Sequence, residues 1–570
     1  MSVKRSSVRR RRSRARRAHS NSSYLTLHQK KRKNTGRVIF WCASVVTIAA
    51  IALVGVFIWK KYLKDSIIKK TDTGDVAEQV TETAETETET EVETTAYAEI
   101  VDPYEEKMKA QAELEAYVHE VDPNIEMAHF KGESTLKPTG DEILDRANLL
   151  AEGYDYDTAI ELIKGITGYG NEEKYTDAIA RYTAEKNAVA PWVINNNITH
   201  IFFHSLIVDP SRAFGEAIAG SKVNDYNEAM TTVNEFVATM ESMYEKGFVL
   251  VDIYDVAKME TQPDGTSVMT YQQILLPPGK KPFILSIDDT NYYEYMTGHG
   301  FSTKLVVDEN GKVQNEYVLS NGEAVYGSFD VITILEDFIE MHPDFSYRGG
   351  RGMAGITGYN GVLGYRTCDF WYNLSCEYYE STPENDKYRA QEVTCPNPNI
   401  EEDKVTAKKV ADAIKAMGWR FASHSWGHKW LGHCAMTTFI WDADMWDREV
   451  RPILGDTDLL ILPYGDDFGP PDIPWQTYTY NGYVNERYDT VKAHGFNYIF
   501  NVDSSEFFMQ RTNDYFRQGR RNLDGDRFWE AVNADDGYEG WKNRVSDLYD
   551  NIDEVIDPLR PRLKDDSTQQ

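Results

Sequence analysis

The chain has 570 residues, 41% of them hydrophobic and 12% aromatic, which allows a sizeable core and two to four structural units. Its net charge of −30 is unevenly distributed, because residues 1–70 carry 19 Lys and Arg against one acidic residue and the rest carry a balance of −48. So acidic a remainder argues against nucleic acid as a partner, since phosphate binding needs clustered Lys and Arg.

A membrane anchor is predicted near the N-terminus. Residues 38–59 are uncharged and apolar, long enough to cross a hydrocarbon core of ~30 Å as a helix. Fourteen Lys and Arg precede this span, so the positive-inside rule predicts a basic cytoplasmic tail over residues 1–37 and an extracytoplasmic remainder. A cleavable signal peptide would have a shorter apolar region and a small-residue cleavage site. We therefore expect a single-pass protein of the cell membrane.

Two connecting regions follow the span. Residues 60–101 are rich in alternating Thr and Glu and predict a disordered, extended linker. Residues 102–190 are helical in pattern, and residues 141–165 resemble one tetratricopeptide-like hairpin. No second copy of that hairpin follows, and a solenoid needs several repeats. We interpret residues 102–190 as a helical spacer.

From residue 191 onwards, apolar strands alternate with amphipathic helices. Strands are predicted at residues 199–208, 248–253, 283–287, 419–423, 458–462 and 497–502. Continuous apolar strands joined by helices indicate a parallel sheet, open or closed as a barrel. In such folds the carboxyl ends of the strands carry the chemistry.

Polar residues lie at or near the carboxyl ends of five predicted strands. They are Asp288 and Asp289, His424 and His428, the turn Pro463 to Gly465, His204, and Asp503. Two imidazoles and one carboxylate with an open position are typical of a catalytic zinc site. A further carboxylate could accept a proton from water, and a separate histidine could protonate a leaving group. Together these residues suit the hydrolysis of an amide or an ester.

Each motif alone has a structural interpretation as well. Histidines spaced as His424 and His428 are more often structural, and an Asp-Asp pair after a strand is equally a turn or a helix cap. His200 lies on the same strand face as His204, but His204 is nearer the predicted mouth. His433 is a further histidine that could be counted as a metal ligand, although a solvated or core position suits it better.

In chain order these motifs resemble the polysaccharide deacetylase family, carbohydrate esterase family four, whose shared unit is the NodB-homology domain. The resemblance spans about residues 191–526 and is carried by IFFHSLI (201–207), SIDD (286–289), HSWGH (424–428) and LPYG (462–465). The position of His204 is similar to members that supply the last motif's histidine from the start of the domain. The resemblance implies a distorted (β/α) barrel of about seven strands, with a catalytic domain over residues 191–560.

The resemblance also implies roles for individual residues. Asp288 would be the general base, and Asp289, His424 and His428 would hold a divalent metal, usually zinc. The backbone N–H of Tyr464 would help to stabilise an oxyanion.

Supporting roles are implied less directly. His204 would be the general acid, and Asp503 would orient it. Ile461 stands where one branch of the family has an arginine paired with the base, and Arg520 or, as our preferred candidate, Arg521 could replace that arginine.

The function implied is that of a hydrolase acting on a carbon–nitrogen bond other than a peptide bond. Its substrate would be an acetylated cell-wall or surface glycan, with peptidoglycan amino sugars favoured and acetate released. Two alternatives remain: an inactive wall-binding or scaffolding protein on the same fold, and an O-acetyl esterase of the xylan type. A metal phosphoesterase is disfavoured, because a two-metal site needs more carboxylates.

Four cysteines follow the membrane span, at positions 368, 376, 395 and 434. Outside the cytoplasm they permit two disulfides in three pairings, and none has the spacing of a zinc knuckle. Three of them lie in an insertion over residues 291–402, which is expected to shape the groove.

Overall fold

The computed structural model describes residues 103–372, 397–470, 473–503, 507–532 and 545–562. The predicted tail, membrane span and linker, at residues 1–101, lie outside the described residues. Among the helices that are described, none combines the length and the apolar character needed to cross a membrane.

The strands vary from three to seven residues in length. In chain order they are β1 Ala190–Trp192, β2 Thr199–Phe203, β3 Phe248–Leu250, β4 Ala257–Thr261, β5 Ser267–Tyr271, β6 Ile274–Leu276, β7 Lys281–Ile287, β8 Lys304–Val307, β9 Val313–Val318, β10 Ala324–Gly327, β11 Met353–Ile356, β12 Arg420–Ser423, β13 Leu459–Ile461, β14 Tyr498–Val502, β15 Met509–Arg511 and β16 Phe516–Asn522.

The helices range from single turns to 19 residues. In chain order they are α1 Pro103–Val121, α2 Glu142–Glu152, α3 Tyr156–Lys164, α4 Glu173–Ala188, α5 Pro210–Ala213, α6 Glu216–Ala219, α7 Val223–Ala229, α8 Val233–Glu245, α9 Ile253–Val256, α10 Val331–Met341, α11 Asp369–Tyr372, α12 Ile400–Ala416, α13 Met436–Glu449, α14 Arg451–Leu454, α15 Glu486–Ala493 and α16 Gly525–Val532.

Seven strands close into a parallel ring. The order around the ring is β7, β11, β12, β13, β14, β16, β2 and back to β7, and every neighbouring pair is parallel. β3 pairs with the first residues of β7 outside the ring, and β15 lies antiparallel to β16. The ring confirms the prediction of a (β/α) barrel of about seven strands. Because all seven strands run the same way, their carboxyl ends meet at one mouth.

The sequence pattern does not predict two of the seven ring strands, β11 and β16. β11 has only four residues and lies inside the predicted insertion. β16 carries Arg517, Arg520 and Arg521, all fully or nearly fully buried. Such charged residues are rarely buried, so their run does not suggest a strand. Conversely, the predicted strand at residues 248–253 is β3, which lies outside the ring.

One hydrophobic cluster joins the helical region to the ring. Ala147 of α2, Ala159 of α3 and Tyr182 of α4 are buried in the same cluster as the ring residues Ile284 and Phe500. The described residues all belong to one compact unit. The predicted boundary between residues 190 and 191 therefore falls inside that unit, and helices α2 to α4 form part of its core.

Buried side chains cap two helices that support the ring. A capping box between Thr232 and Glu235 starts α8. Asp330 starts α10 and also accepts a hydrogen bond from the Leu206 N–H at 2.9 Å, which ties α10 to the chain leaving β2. Burial raises the pKa of Asp330 to about 6.

Candidate metal centre

Three side chains that could hold a metal ion meet at the mouth of the barrel. Asp289 follows β7, and His424 and His428 follow β12. The Asp289 carboxylate lies 4.0 Å from His424 Nε2 and 3.7 Å from His428 Nε2. A tetrahedral zinc with ligands at ~2.1 Å separates its donor atoms by roughly 3.4 Å. The spacing and chemistry of these donors therefore fit one divalent ion.

The His424 ring is held in the tautomer that a ligand needs. Its Nδ1 lies 3.1 Å from the carbonyl oxygen of Ile461, so Nδ1–H donates and Nε2 keeps its lone pair. Burial lowers the pKa of His424 to about 4, although Asp288 and Asp289 act in the opposite direction. The imidazole is therefore neutral at neutral pH.

The loop between the two histidines is shaped by α13. The Asp442 carboxylate accepts hydrogen bonds from the N–H groups of Trp426 at 2.8 Å and Gly427 at 2.7 Å. The Trp426 indole donates to Glu449 at 3.0 Å. His428 itself has a φ of 49°, in the left-handed region that non-glycine residues rarely adopt. These contacts fix the orientation of His428. Asp442 and Glu449 lie outside the HSWGH motif, so the motif alone does not identify them.

Asp289 is held from the other side. Its φ is 55°, and the hydroxyl of Tyr293 donates to its carboxylate. Burial alone would raise the pKa of Asp289, but His428 and His424 hold it below its usual value. Asp289 is therefore ionised, as a metal ligand must be.

Asp288 forms a buried ion pair with Arg520. The guanidinium donates two hydrogen bonds, at 2.6 and 2.8 Å, to the two carboxylate oxygens. Burial acts to raise the pKa of Asp288, but the charge of Arg520 holds it well below its usual range. Asp288 lies 3.8 Å from His424 Nε2, beside the donor set rather than within it.

The arginine beside Asp288 is Arg520, and not the preferred candidate Arg521. Arg521 instead forms a bidentate pair with Asp547, at 2.9 and 3.0 Å. Successive side chains of a strand point to opposite faces, so only one of two adjacent arginines on β16 can point into the barrel. The preference for Arg521 is therefore wrong.

A polar layer lies directly below Asp288 inside the barrel. Arg520 also donates to Ser286 Oγ at 3.0 Å, and His200 lies 3.0 Å from the same oxygen. The other nitrogen of His200 lies 3.2 Å from Gln518 Oε1. Burial lowers the pKa of His200 well below its usual value. His200 is thus an interior residue that orients the Arg520 layer.

A cavity of about 350 Å³ opens above the donor set. Its walls include all six residues predicted for catalysis and metal binding: His204, Asp288, Asp289, His424, His428 and Tyr464. The size is within the range of ligand pockets, ~300–1,000 Å³. Four loops of the ring thus bring the predicted residues together in one place.

A buried carboxylate other than the expected Asp503 shares the cavity with His204. Asp503 is not among the cavity-lining residues, and its carboxylate occupies the space that a Cβ on Gly519 would need. Asp524, which follows β16, lines the cavity together with His204. Asp524 is buried, and Asn522 donates to both of its oxygens at 2.9 Å. No sequence motif drew attention to Asp524.

Two further groups of candidates lie elsewhere. The imidazole of His433 is exposed and pairs with Asp466, away from the donor set. Cys368 and Cys434 are free thiols, so neither takes part in a disulfide. Cys376 and Cys395 lie outside the described residues.

Comparison with known proteins adds little. No family model matches the chain, and no curated protein matches it. A solved structure of Streptococcus pyogenes deacetylase PplD in complex with acetate matches with a TM-score of 0.30 and 11% identity, over 59% of this chain and 95% of that chain. A match this weak supports no inference about this chain.

Proposed function

We propose that the chain is a metal-dependent hydrolase that removes N-acetyl groups from a glycan and releases acetate. One observation carries the proposal. Two imidazole donors and one carboxylate share a cavity with a second carboxylate that is charge-paired to an arginine, and with a separate histidine. A single-metal amide hydrolase needs this combination of groups.

Asp289, His424 and His428 would hold the ion. When bound, zinc lowers the pKa of a coordinated water and polarises a carbonyl group. Asp288 instead accepts two hydrogen bonds from Arg520, and so it is not counted as a metal ligand. The donor set therefore provides for one ion, which argues against a two-metal phosphoesterase.

The proton transfers belong to Asp288 and His204. Asp288 is ionised, so its carboxylate can take a proton from the water that attacks the acetyl carbon. Arg520 keeps that carboxylate in one orientation. The C–N bond then breaks, His204 gives a proton to the amine nitrogen, and acetate and a free amino sugar leave.

Tyr464 is suited to stabilise the negative charge on the acetyl oxygen. It lies in the short turn Pro463–Gly465 with a φ of 59°. A backbone in this conformation turns its N–H away from the regular direction of the strand, as anion-binding turns do. We assign its N–H the role of an oxyanion donor.

The proposed substrate and location rest on the expectations from the sequence. A cytoplasmic tail, a membrane span and an acidic linker at residues 1–101 would hold the barrel outside the cell and away from the bilayer. An acetylated cell-wall glycan is then the accessible substrate, and we favour peptidoglycan amino sugars. An O-acetyl ester would need the same groups, so it is the second candidate.

The rival interpretation is a wall-binding protein that has lost turnover. Against it, the base, its arginine partner, the donor set and the histidine are all present at one cavity. A binding protein has no need of a buried carboxylate that stays ionised at the cost of a buried arginine.

Acetate release by the full-length protein tests the proposal. The substrates would be peptidoglycan, N-acetylglucosamine polymers and O-acetylated xylan, each with added zinc. We expect release from an amino-sugar polymer, and a loss of at least about a hundredfold in kcat for Asp288→Asn. Asp444→Asn, at a carboxylate of α13 that is 60% exposed, is the matched control and should retain activity. Release from xylan alone would favour the esterase, and no release from any substrate would favour the binding protein.

A further inference from the structure

Two stacks of aromatic rings lead from the donor set to the surface. In the first, the rings of Trp430 and Tyr464 are nearly parallel, 4.2 Å apart with 7° between their planes. The Tyr464 ring lies 4.5 Å from that of His428. Trp430 is 53% exposed and Tyr464 is 54% exposed. Such large apolar surfaces are usually buried, so their exposure beside the cavity requires a reason.

The first stack is held rigidly by polar groups behind it. The buried Asp466 carboxylate accepts hydrogen bonds from the N–H of Gly432 at 2.6 Å and of His433 at 3.2 Å. Arg487 donates to the carbonyl oxygens of Leu431 and Cys434. The loop that carries Trp430 is therefore ordered before any ligand binds, which reduces the entropic cost of binding.

The second stack begins at the other metal ligand. Tyr293, whose hydroxyl donates to Asp289, lies between Tyr359 and Tyr295. Its ring centroid is 5.2 Å from that of Tyr359 and 5.5 Å from that of Tyr295. Tyr295 is 48% exposed and lines the cavity. This stack belongs to the segment between β7 and β12, outside the HSWGH and LPYG motifs.

The two exposed ends flank the donor set. Tyr295 follows β7 and Tyr464 follows β13, and the ring places β11 and β12 between those two strands. His424 and His428 follow β12, so they lie between Tyr295 and Tyr464 in the order of the ring. A ligand that touches both stacks must therefore extend across the centre.

We propose that Trp430 and Tyr295 each stack on a sugar of one glycan chain, on the two sides of the sugar that carries the acetyl group. The flat apolar faces of pyranose rings match exposed aromatic rings in size and shape. The substrate is then an internal segment of at least three sugars, rather than a single sugar or a chain end. The identity of the central sugar rests on the proposed function.

The charges of the cavity indicate a neutral chain. Its walls carry Asp225, Asp288, Asp289 and Asp524 against one lysine, Lys222. Lys222 is itself paired with Asp225 at 2.7 Å. Lys222 is therefore not available to bind a carboxylate or a phosphate on the sugar. Uncharged N-acetylated sugars fit this cavity better.

Binding by a full-length Asp288→Asn variant tests the proposal without turnover. The probes are β-1,4-linked N-acetylglucosamine oligomers of one to five units, and calorimetry gives their affinities. We expect affinity to rise from one unit to three and then to level off. Trp430→Ala and Tyr295→Ala, in the same background, should each weaken trimer binding about threefold to tenfold. Tyr295→Phe should bind as the parent does.

The matched control is Tyr326→Ala, since Tyr326 lies on β10 with 45% exposure and should leave trimer binding unchanged. Equal affinity for monomer and trimer, binding of no oligomer, or unaltered trimer binding by both alanine variants would overturn the proposal. Length-dependent binding without acetate release by the wild type would refute the proposed function and leave this inference intact. Acetate release without length-dependent binding would refute this inference and leave the proposed function intact.

Discussion

Removing Arg520 should cost the protein much of its stability. Arg520 is fully buried and the Asp288 side chain is 5% exposed, so Arg520→Met leaves a buried carboxylate without its counter-charge. Two unit charges ~4 Å apart interact by ~4 kcal/mol at an effective dielectric constant of ~20. Measured losses on breaking buried pairs are ~3–5 kcal/mol. We therefore expect the free energy of unfolding to fall by about 4 kcal/mol.

The companion variants separate the charge effect from packing. In Arg520→Met/Asp288→Asn no charge is left unpaired, so we expect at least about 2 kcal/mol of the loss to be recovered. Arg521→Met is the matched control, because its partner Asp547 keeps 20% exposure and can be hydrated. Its loss should be smaller than that of Arg520→Met by at least about 1 kcal/mol.

Urea unfolding followed by tryptophan fluorescence measures these differences. Equal losses for the two single arginine variants would show that the Asp288 charge is not what Arg520 stabilises. A double variant no more stable than Arg520→Met would lead to the same conclusion. Either result would also remove the physical reason for an ionised Asp288.

Three further outcomes are expected. His428→Ala should lose the bound zinc equivalent measured by elemental analysis, whereas His433→Ala should retain it; equal zinc contents would contradict the donor assignment. Asp442→Asn should weaken zinc binding about 10- to 100-fold, measured in competition with a chelator. Asp444→Asn, on the same helix but 60% exposed, should leave zinc binding unchanged. Equal zinc affinities of the two variants would refute the role of Asp442 in orienting the loop. Because the folded-state pKa of Asp330 is about 6, above the unfolded value of ~3.9, stability should fall by roughly 3 kcal/mol as the pH rises from 4 to 6 and then stay level. Urea unfolding of Asp330→Asn across this pH range should show no such fall. Parallel plots of stability against pH for the wild type and the variant would contradict the raised pKa of Asp330.

The strand ends were predictable because their pattern is local. An apolar run followed directly by polar residues marks both the strand and its mouth-facing end, so Asp288, His424 and Tyr464 could be placed without coordinates. Closure of the ring was predictable only through the family resemblance. Parallel strands of an open sheet show the same apolar runs.

The supporting residues were not predictable, because their partners are distant in sequence. Asp442 lies 15 residues beyond Gly427, and Arg520 lies 232 beyond Asp288. The choice between Arg520 and Arg521 depends on the register of β16, whose charged sequence does not suggest a strand. A one-residue difference in register reverses which side chain points inward.

The central claim is that one metal ion, held by Asp289, His424 and His428, is required for acetate release. The most direct test is to strip the full-length protein with a chelator and add zinc back in steps, measuring bound metal and acetate release from an N-acetylglucosamine polymer together. We predict that release rises in proportion to bound zinc and levels off at one equivalent, and that His424→Ala shows neither zinc binding nor release. Acetate release by the stripped protein, or zinc binding without release at full occupancy, would contradict this prediction.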